Sequence, residues 1–328
     1  MTSGAGLYVH LPFCRSRCAY CAFVVTTDDS LREAYLAALE RESAIAGREA
    51  QGSAFDSIYL GGGTPSWLPP EGIERLLAGL QRDFTVEAGA EITLEANPDD
   101  VSPDAVGAWK AAGVTRVSLG VQSFQDRELA AVGRRHDAAD ASRALERLLA
   151  TDLQVSGDLI LGLPEQTAET FRESTARLAA CGVEHVSVYL LETEKSKVIE
   201  EDRATHPQRY LSDDAQADLW LDLSDLLRRR GFEHYEISNW ARPGQAARHN
   251  IKYWTRQPTL GLGVSAHELW DERRRANVSA IPVYLEALGE GRRPTALDRE
   301  LYALARRLYR PRIVRAQRPL EAFGLPGA

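Results

Sequence analysis

Six short apolar runs, separated by longer amphipathic ones, fill the first 190 or so residues, and this alternation limits the fold more than any other feature. The runs Gly6–Leu11, Ser57–Leu60, Glu91–Ala96, Arg116–Val121, Val155–Leu161 and Val186–Leu191 read as strands. Between them, Ser30–Ala46 reads as a helix with Ser30 as N-cap and Glu33 completing a capping box. Further helices are expected within Glu71–Asp83, over Ser102–Ala112 with Pro103 at its first turn, within Ala138–Ala150 and over Thr167–Ala180. Strand–helix units in series predict an α/β fold, a parallel sheet with helices on its outer face. Right-handed crossovers allow an open doubly wound sheet or a full or partial barrel, and the pattern alone does not choose.

The rhythm changes near residue 195, which divides the chain into 1–195 and 196–328. Glu194–Arg203 is highly charged and reads as a linker or an excursion; a long helix is expected within Asp213–Arg230. An aromatic- and glycine-rich stretch then reaches Gly263, and Pro282–Arg315 has a mixed helical pattern with many arginines.

Cys14, Cys18 and Cys21 follow directly on the first strand. Spacings of four and three suit one face of a helix, so a buried apolar stripe is one reading. Zinc is a second and asks for a fourth ligand such as His10. An iron–sulfur cube held by three thiolates is a third, and it leaves one iron open to a ligand. Arg15 and Arg17 beside the thiols favour thiolates, the metal-binding form. The compartment bears on this choice. No apolar stretch nears the roughly 20 residues of a membrane helix, and the N-terminus is no secretory signal, so a cytoplasmic location with reduced thiols is expected. Crowded cysteines there indicate a metal site before disulfides. Cys181, alone at a helix end, reads as a small buried hydrophobe.

Ligands of parallel α/β sheets gather at the carboxyl ends of the strands, where this sequence places its unusual residues. The thiols follow strand one and Gly61-Gly62-Gly63-Thr64-Pro65 follows strand two; Glu95 and Asn97 close strand three, Gln122 follows strand four, and Asp158 and Tyr189 lie in strands five and six. The glycines match neither the dinucleotide fingerprint nor the P-loop. With 47 acidic against 39 basic residues and a pI near 5.5, the whole chain has no nucleic-acid footprint.

Taken in order, YVHLPFCRSRCAYCAF, YLGGGTP, LEANPD, SLGVQSF, GRRHD, DLILGLPEQT, EISNWARPG and HNIKYW resemble the radical S-adenosylmethionine (SAM) superfamily. The resemblance covers about residues 6–270 and is to the branch that contains oxygen-independent coproporphyrinogen III oxidase and the HemW heme chaperones. It implies a partial (β/α)6 barrel with a smaller α+β C-terminal region, and a [4Fe–4S] cluster on Cys14, Cys18 and Cys21. It places Tyr8 and Tyr20 beside cluster and SAM, and Gly62, Gly63 and Thr64 at the methionine end of SAM. Glu95, Gln122, Arg134 and Asp158 are implied contacts of SAM or of a second SAM. In members that turn over, a reduced cluster splits SAM to a 5′-deoxyadenosyl radical.

Two positions separate the branches. The oxidases carry a further cysteine two residues after the third, where this chain has Phe23, as the HemW branch does. His249, Asn250, Tyr253 and Trp254 form the H-N-x-x-Y-W motif that the HemW branch uses for heme. The expected function is therefore a heme chaperone that passes heme to acceptor proteins, with coproporphyrinogen oxidation as the alternative and another radical SAM activity as a third reading. The family's usual C-terminal domain is longer than the arginine-rich ending here, so that domain is expected to be truncated or divergent.

Overall fold

The computed structural model describes residues 4–297. Strand β1 (Ala5–Leu11) leads through the cysteine loop to α1 (Arg32–Glu49), then β2 (Ala54–Gly62), α2 (Pro70–Asp83), β3 (Thr85–Ala96) and α3 (Pro103–Ala111). There follow β4 (Arg116–Gln122), α4 (Asp126–Ala131), α5 (Ala138–Leu149), β5 (Gln154–Leu161), α6 (Ala168–Ala180) and β6 (His185–Leu190). Strands β1 to β6 pair in parallel and in chain order, as the alternation predicts.

The remainder extends the same sheet. After α7 (Lys197–Thr205) and α8 (Asp213–Arg229), β7 (Glu233–Glu236) and β8 (Asn239–Ala241) form an antiparallel pair on the outer edge of β6. Helix α9 (Arg248–Trp254) then leads to β9 (Thr259–Leu262), which returns to the opposite edge and pairs in parallel with β1. Strands β10 (His267–Trp270) and β11 (Arg273–Asn277), helix α10 (Ile281–Gly289) and β12 (Thr295–Leu297) complete the sheet. Its order is β12-β11-β10-β9-β1-β2-β3-β4-β5-β6-β8-β7, an open arc spanning both sides of residue 195. That is the α/β fold expected, with the partial barrel rather than the closed one.

Strand alternation sorts the two faces. Leu7, Val9 and Leu11 of β1, with Ile58, Leu60, Leu94, Val117, Leu119, Val155, Val186 and Val188, join Leu36, Leu39, Leu76, Leu80, Leu145 and Leu178 of the helices in one core. Residues of the opposite parity are polar or small: Gly6, Tyr8 and His10 in β1, Ser118 in β4, and Ser156 and Asp158 in β5. The concave face is thus equipped to bind rather than to pack.

Several local expectations differ from the structure. Asp28, not Ser30, provides the cap before α1: its carboxylate accepts from the Ser30 amide, and a single 3₁₀ turn over Asp29–Leu31 precedes the helix. Glu33 faces outward to Arg75. The expected linker Glu194–Arg203 is instead a 3₁₀ turn and α7, capped by Ser196 and anchored by buried Ile199. Cys181 is exposed rather than buried, its thiol bonded to the Arg177 carbonyl. Among the described residues no helix is long and apolar enough to cross a membrane. Most of the arginine-rich stretch expected to end the chain lies outside the described residues.

Candidate functional site

The three cysteines lie on a loop, not on a helix, which removes the apolar-stripe reading. Backbone bonds tie the loop down at both ends. Cys14 N–H donates to Thr26 at 3.0 Å, Thr26 N–H to Pro12 at 2.7 Å, and Ala19 N–H to Val132 at 3.0 Å. His10 secures it from β1: one ring nitrogen meets the Val24 carbonyl at 2.9 Å and the other the Tyr8 hydroxyl at 3.1 Å. With both nitrogens engaged, His10 is not placed as a fourth metal ligand.

The glycine turn packs directly under this loop. Gly63 and Thr64 amides donate to Leu11 and Phe13 carbonyls, each at 2.8 Å. A Cβ on Gly63 would lie 2.8 Å from those same carbonyl oxygens, so only glycine permits this approach. Gly62 has φ +107°, and a Cβ there would meet the His10 ring at 2.6 Å.

Cys14, Cys18 and Cys21 line one cavity of about 1380 Å3, larger than the roughly 300–1,000 Å3 usual for ligand pockets. Tyr20, Gly62, Gly63, Thr64, Glu95, Gln122, Arg134 and Asp158 line it too, so strands β2 to β5 each deliver an expected residue to the same space. Tyr8 does not line it; its ring stacks behind on Tyr59 at 6.1 Å. Arg134 bridges the site. It donates to Cys18 Sγ at 3.6 Å and Tyr20 Oη at 3.4 Å, and to Asn97 Oδ1 and the Gly120 carbonyl at 2.7 Å each. Thr64 donates its hydroxyl to Cys14 Sγ at 3.4 Å. Gln122 holds a left-handed backbone, φ 65°, at the end of β4, unusual for a non-glycine and common at ligand sites.

Two buried carboxyls set the electrostatics of the site. Burial pushes the Glu95 carboxyl up to about 7, against the opposing hydrogen bond from Tyr59 (2.8 Å). Burial likewise raises Asp158 to about 6, although Ser118 bonds it at 2.9 Å. Two of the thiols depart from expectation. Burial raises Cys14 to about 11 and moves Cys21 upward, outweighing Arg134 and Arg17 respectively. A bound cation favours the thiolate at both.

The donor set fits a thiolate-held cluster: three free thiols on an anchored loop, two of whose sulfurs already receive hydrogen bonds. Among the described residues no three His, Cys, Asp or Glu side chains are gathered around one ion position. A four-iron cube takes its sulfurs at separate corners and needs them wider apart than a single ion does.

The H-N-x-x-Y-W residues lie elsewhere, on α9, and none of them lines the cavity. His249 is fully buried. Its Nδ1 meets Ser57 Oγ at 3.1 Å and its Nε2 the Tyr253 hydroxyl at 2.9 Å, while its ring lies 5.3 Å from that of Tyr59. Burial lowers its imidazole to about 3, so it is neutral. Asn250 bonds Tyr235, and Glu91 accepts from the Arg248 and His249 amides at 3.0 Å each. Trp254 is exposed. Sequence reasoning missed Tyr59 and Ser118 as partners of the buried carboxyls, and missed Leu190, Leu221 and Ile237 on the cavity wall. Leu221 did carry a signal, being a leucine off the buried Leu219, Leu223, Leu227 stripe of α8.

Comparison with known proteins agrees with this arrangement. Residues 8–178 match the family model of the radical SAM superfamily. The chain is 38% identical over 275 residues to the heme chaperone HemW of Synechocystis sp., covering 81% of this chain and 66% of that one. It is 35% identical over 271 residues to the Escherichia coli heme chaperone HemW, covering 80% and 69% respectively. The solved structure of E. coli coproporphyrinogen III oxidase (HemN), a radical SAM enzyme, superposes with a TM-score of 0.79 at 25% identity, over 89% of this chain and 71% of that one. The chain thus spans about two thirds of the HemW proteins it matches, and the thiol loop and the strand-end residues from Gly62 to Asp158 fall within the residues matched to the radical SAM family model. The chain belongs to the radical SAM superfamily and, within it, to the HemW family.

Proposed function

We propose that this protein is a heme chaperone: it holds a [4Fe–4S] cluster and SAM in the barrel, binds heme, and releases it to acceptor proteins. The observation that carries this reading is Phe23. It stands where the oxidase branch has a cysteine, and it leaves the cavity with three thiols, consistent with the HemW relatives. Cys14, Cys18 and Cys21 would hold the cluster, and Tyr20, Gly62, Gly63, Thr64, Glu95, Gln122, Arg134 and Asp158 would surround SAM. When bound, the pair supplies one-electron cleavage of SAM. What the chain itself supplies is placement: the glycine turn admits a ligand close to backbone, Arg134 offers a fixed cation, and Glu95 and Asp158 offer two carboxyls to a cationic ligand.

The test is an anaerobic heme titration of the cluster-reconstituted protein followed by absorbance. Saturable binding near one heme per chain is expected; no binding above an unrelated control protein overturns the reading. Coproporphyrinogen oxidation, which the HemN likeness favours, predicts protoporphyrinogen from the same sample given SAM and reductant. Binding through His249, as the motif suggests, requires the buried ring to give up its bond to Ser57 or to Tyr253.

The raised carboxyls give a pH prediction. Because both folded-state values lie above the ordinary range, these groups contribute stability to the ligand-free protein that is full below about pH 4. That stability is lost as pH rises through about 6 and about 7. A sulfonium and an ammonium brought beside them favour the ionised forms, so SAM binding releases protons and tightens with pH. Calorimetric titration is expected to show SAM affinity rising about three- to tenfold from pH 5.5 to 7.5. Glu95→Gln should flatten that dependence, and a flat profile in the unaltered protein would contradict the contact.

A further inference from the structure

Asn97 follows β3 directly and lines the cavity, yet the function proposed above gives it no task. Its surroundings hold it in place. The backbone N–H donates to Ser66 Oγ at 3.2 Å, and the Ser66 hydroxyl donates to Asp100 at 2.7 Å. Asp100 in turn pairs at 3.0 Å with Arg15, next in sequence to Cys14. At Gly120 a Cβ would lie 3.3 Å from Arg134 Nη2 and 3.5 Å from Asn97 Oδ1, so the glycine leaves room for these two to meet.

The amide then has one orientation. A guanidinium only donates, so Oδ1 faces Arg134 at 2.7 Å, which turns Nδ2 toward Thr64 Oγ1 at 3.3 Å. Thr64 thus accepts from Asn97 and gives its own proton to Cys14 Sγ, 3.4 Å away. Asn97 also steadies Arg134, whose Nη1 donates to Cys18 Sγ at 3.6 Å. Protons are in this way aimed at two of the three sulfurs by a side chain that is itself bonded to neither. Hydrogen bonds to its sulfurs raise the reduction potential of an iron–sulfur cluster, because they favour the more negative, reduced form. We propose that Asn97 is a positioning residue: by fixing the Thr64 hydroxyl on Cys14 and Arg134 on Cys18, it makes the cluster easier to reduce. This rests on the cluster assigned above to these thiols. Aspartate has the same shape but cannot donate. In its place it would still accept from Arg134, and it would draw the Thr64 proton to itself and away from the sulfur.

Redox titration followed by the EPR signal of the reduced cluster tests this on the anaerobically reconstituted chain, without SAM. Four proteins of equal iron content form a cycle: unaltered, Thr64→Val, Asn97→Asp and the double variant. Each single substitution is expected to lower the equilibrium constant for one-electron reduction about tenfold, a fall of about 59 mV. In the Thr64→Val background Asn97→Asp should change it less than about threefold, since the hydroxyl it redirects is gone. Thr64→Ser, which keeps the hydroxyl, should lie within about threefold of the unaltered chain. Should Thr64→Val load less iron, Thr64→Ala replaces it. An unchanged potential in Thr64→Val, or an equal fall on Asn97→Asp in both backgrounds, the mark of added charge alone, overturns the role of Asn97 while leaving the cluster standing. No cluster in the unaltered chain overturns the cluster assignment itself.

Discussion

Anaerobically reconstituted Cys18→Ser protein is expected to be nearly colourless, its iron falling from about four per chain to close to none. Cys18 is the informative thiol of the three. Cys14 is buried against Thr64, so its loss also disturbs the packing under the loop, whereas Cys18 is only half-buried and meets Arg134 at 3.6 Å. Serine preserves a polar atom for that guanidinium but is a far poorer ligand for iron than thiolate. The fold should survive, because the loop is fastened by backbone bonds at Cys14, Ala19 and Thr26 and not by the thiols. Cys181→Ser is the matched control. Its thiol lies exposed at the end of α6, bonded to the Arg177 carbonyl, and its removal should leave iron content and the broad visible absorption unchanged. Full iron content in Cys18→Ser, or loss in Cys181→Ser, would refute the ligand assignment.

The barrel could be read from the sequence because its information is local. Each strand is an apolar run bounded by glycine or polar residues, and the residues expected at the strand ends do converge on one cavity. Errors arose where distant partners decide. The first half of β3, Thr85–Ala90, extends well before its apolar run because it pairs with Ala54 and Phe55, and no periodicity reports that. Helix α7 has only Ile199 to bury, too little to distinguish it from a charged loop. The fate of His249 was least legible of all. Its partners Ser57 and Glu91 lie 192 and 158 residues earlier, and a motif cannot say that they will occupy the ring and the amide. The electrostatic sign of the thiol loop was also hidden: arginines next to cysteines in sequence do not reveal how much water the fold removes from them.

The same lesson predicts the largest stability effect in a residue that the sequence reading passed over. Glu42 sits in the middle of α1, in a stretch read only as an amphipathic helix, yet it is completely buried. Its carboxylate accepts from the Gly263 amide at 2.8 Å, from Asn277 Nδ2 at 2.7 Å and from the Tyr284 hydroxyl at 2.7 Å, with Arg293 at 3.6 Å. Three donors and a cation from the segments after β9 are thus joined to the first helix of the barrel. Burial still moves the Glu42 carboxyl upward, so this network offsets desolvation only in part. Glu42→Ala leaves all of these groups buried with fewer acceptors, and Arg293 with Glu49, Glu268 and the Gly261 carbonyl. Breaking a buried network from one side costs about 3–5 kcal/mol. A shift of that size in urea unfolding is expected, with Glu42→Gln falling between the two because the amide still accepts from part of the set. If the cost proved below about 1 kcal/mol, the range of an exposed ion pair, β9 to α10 would be held by apolar packing of Tyr35, Val264 and Tyr284 rather than by this carboxylate.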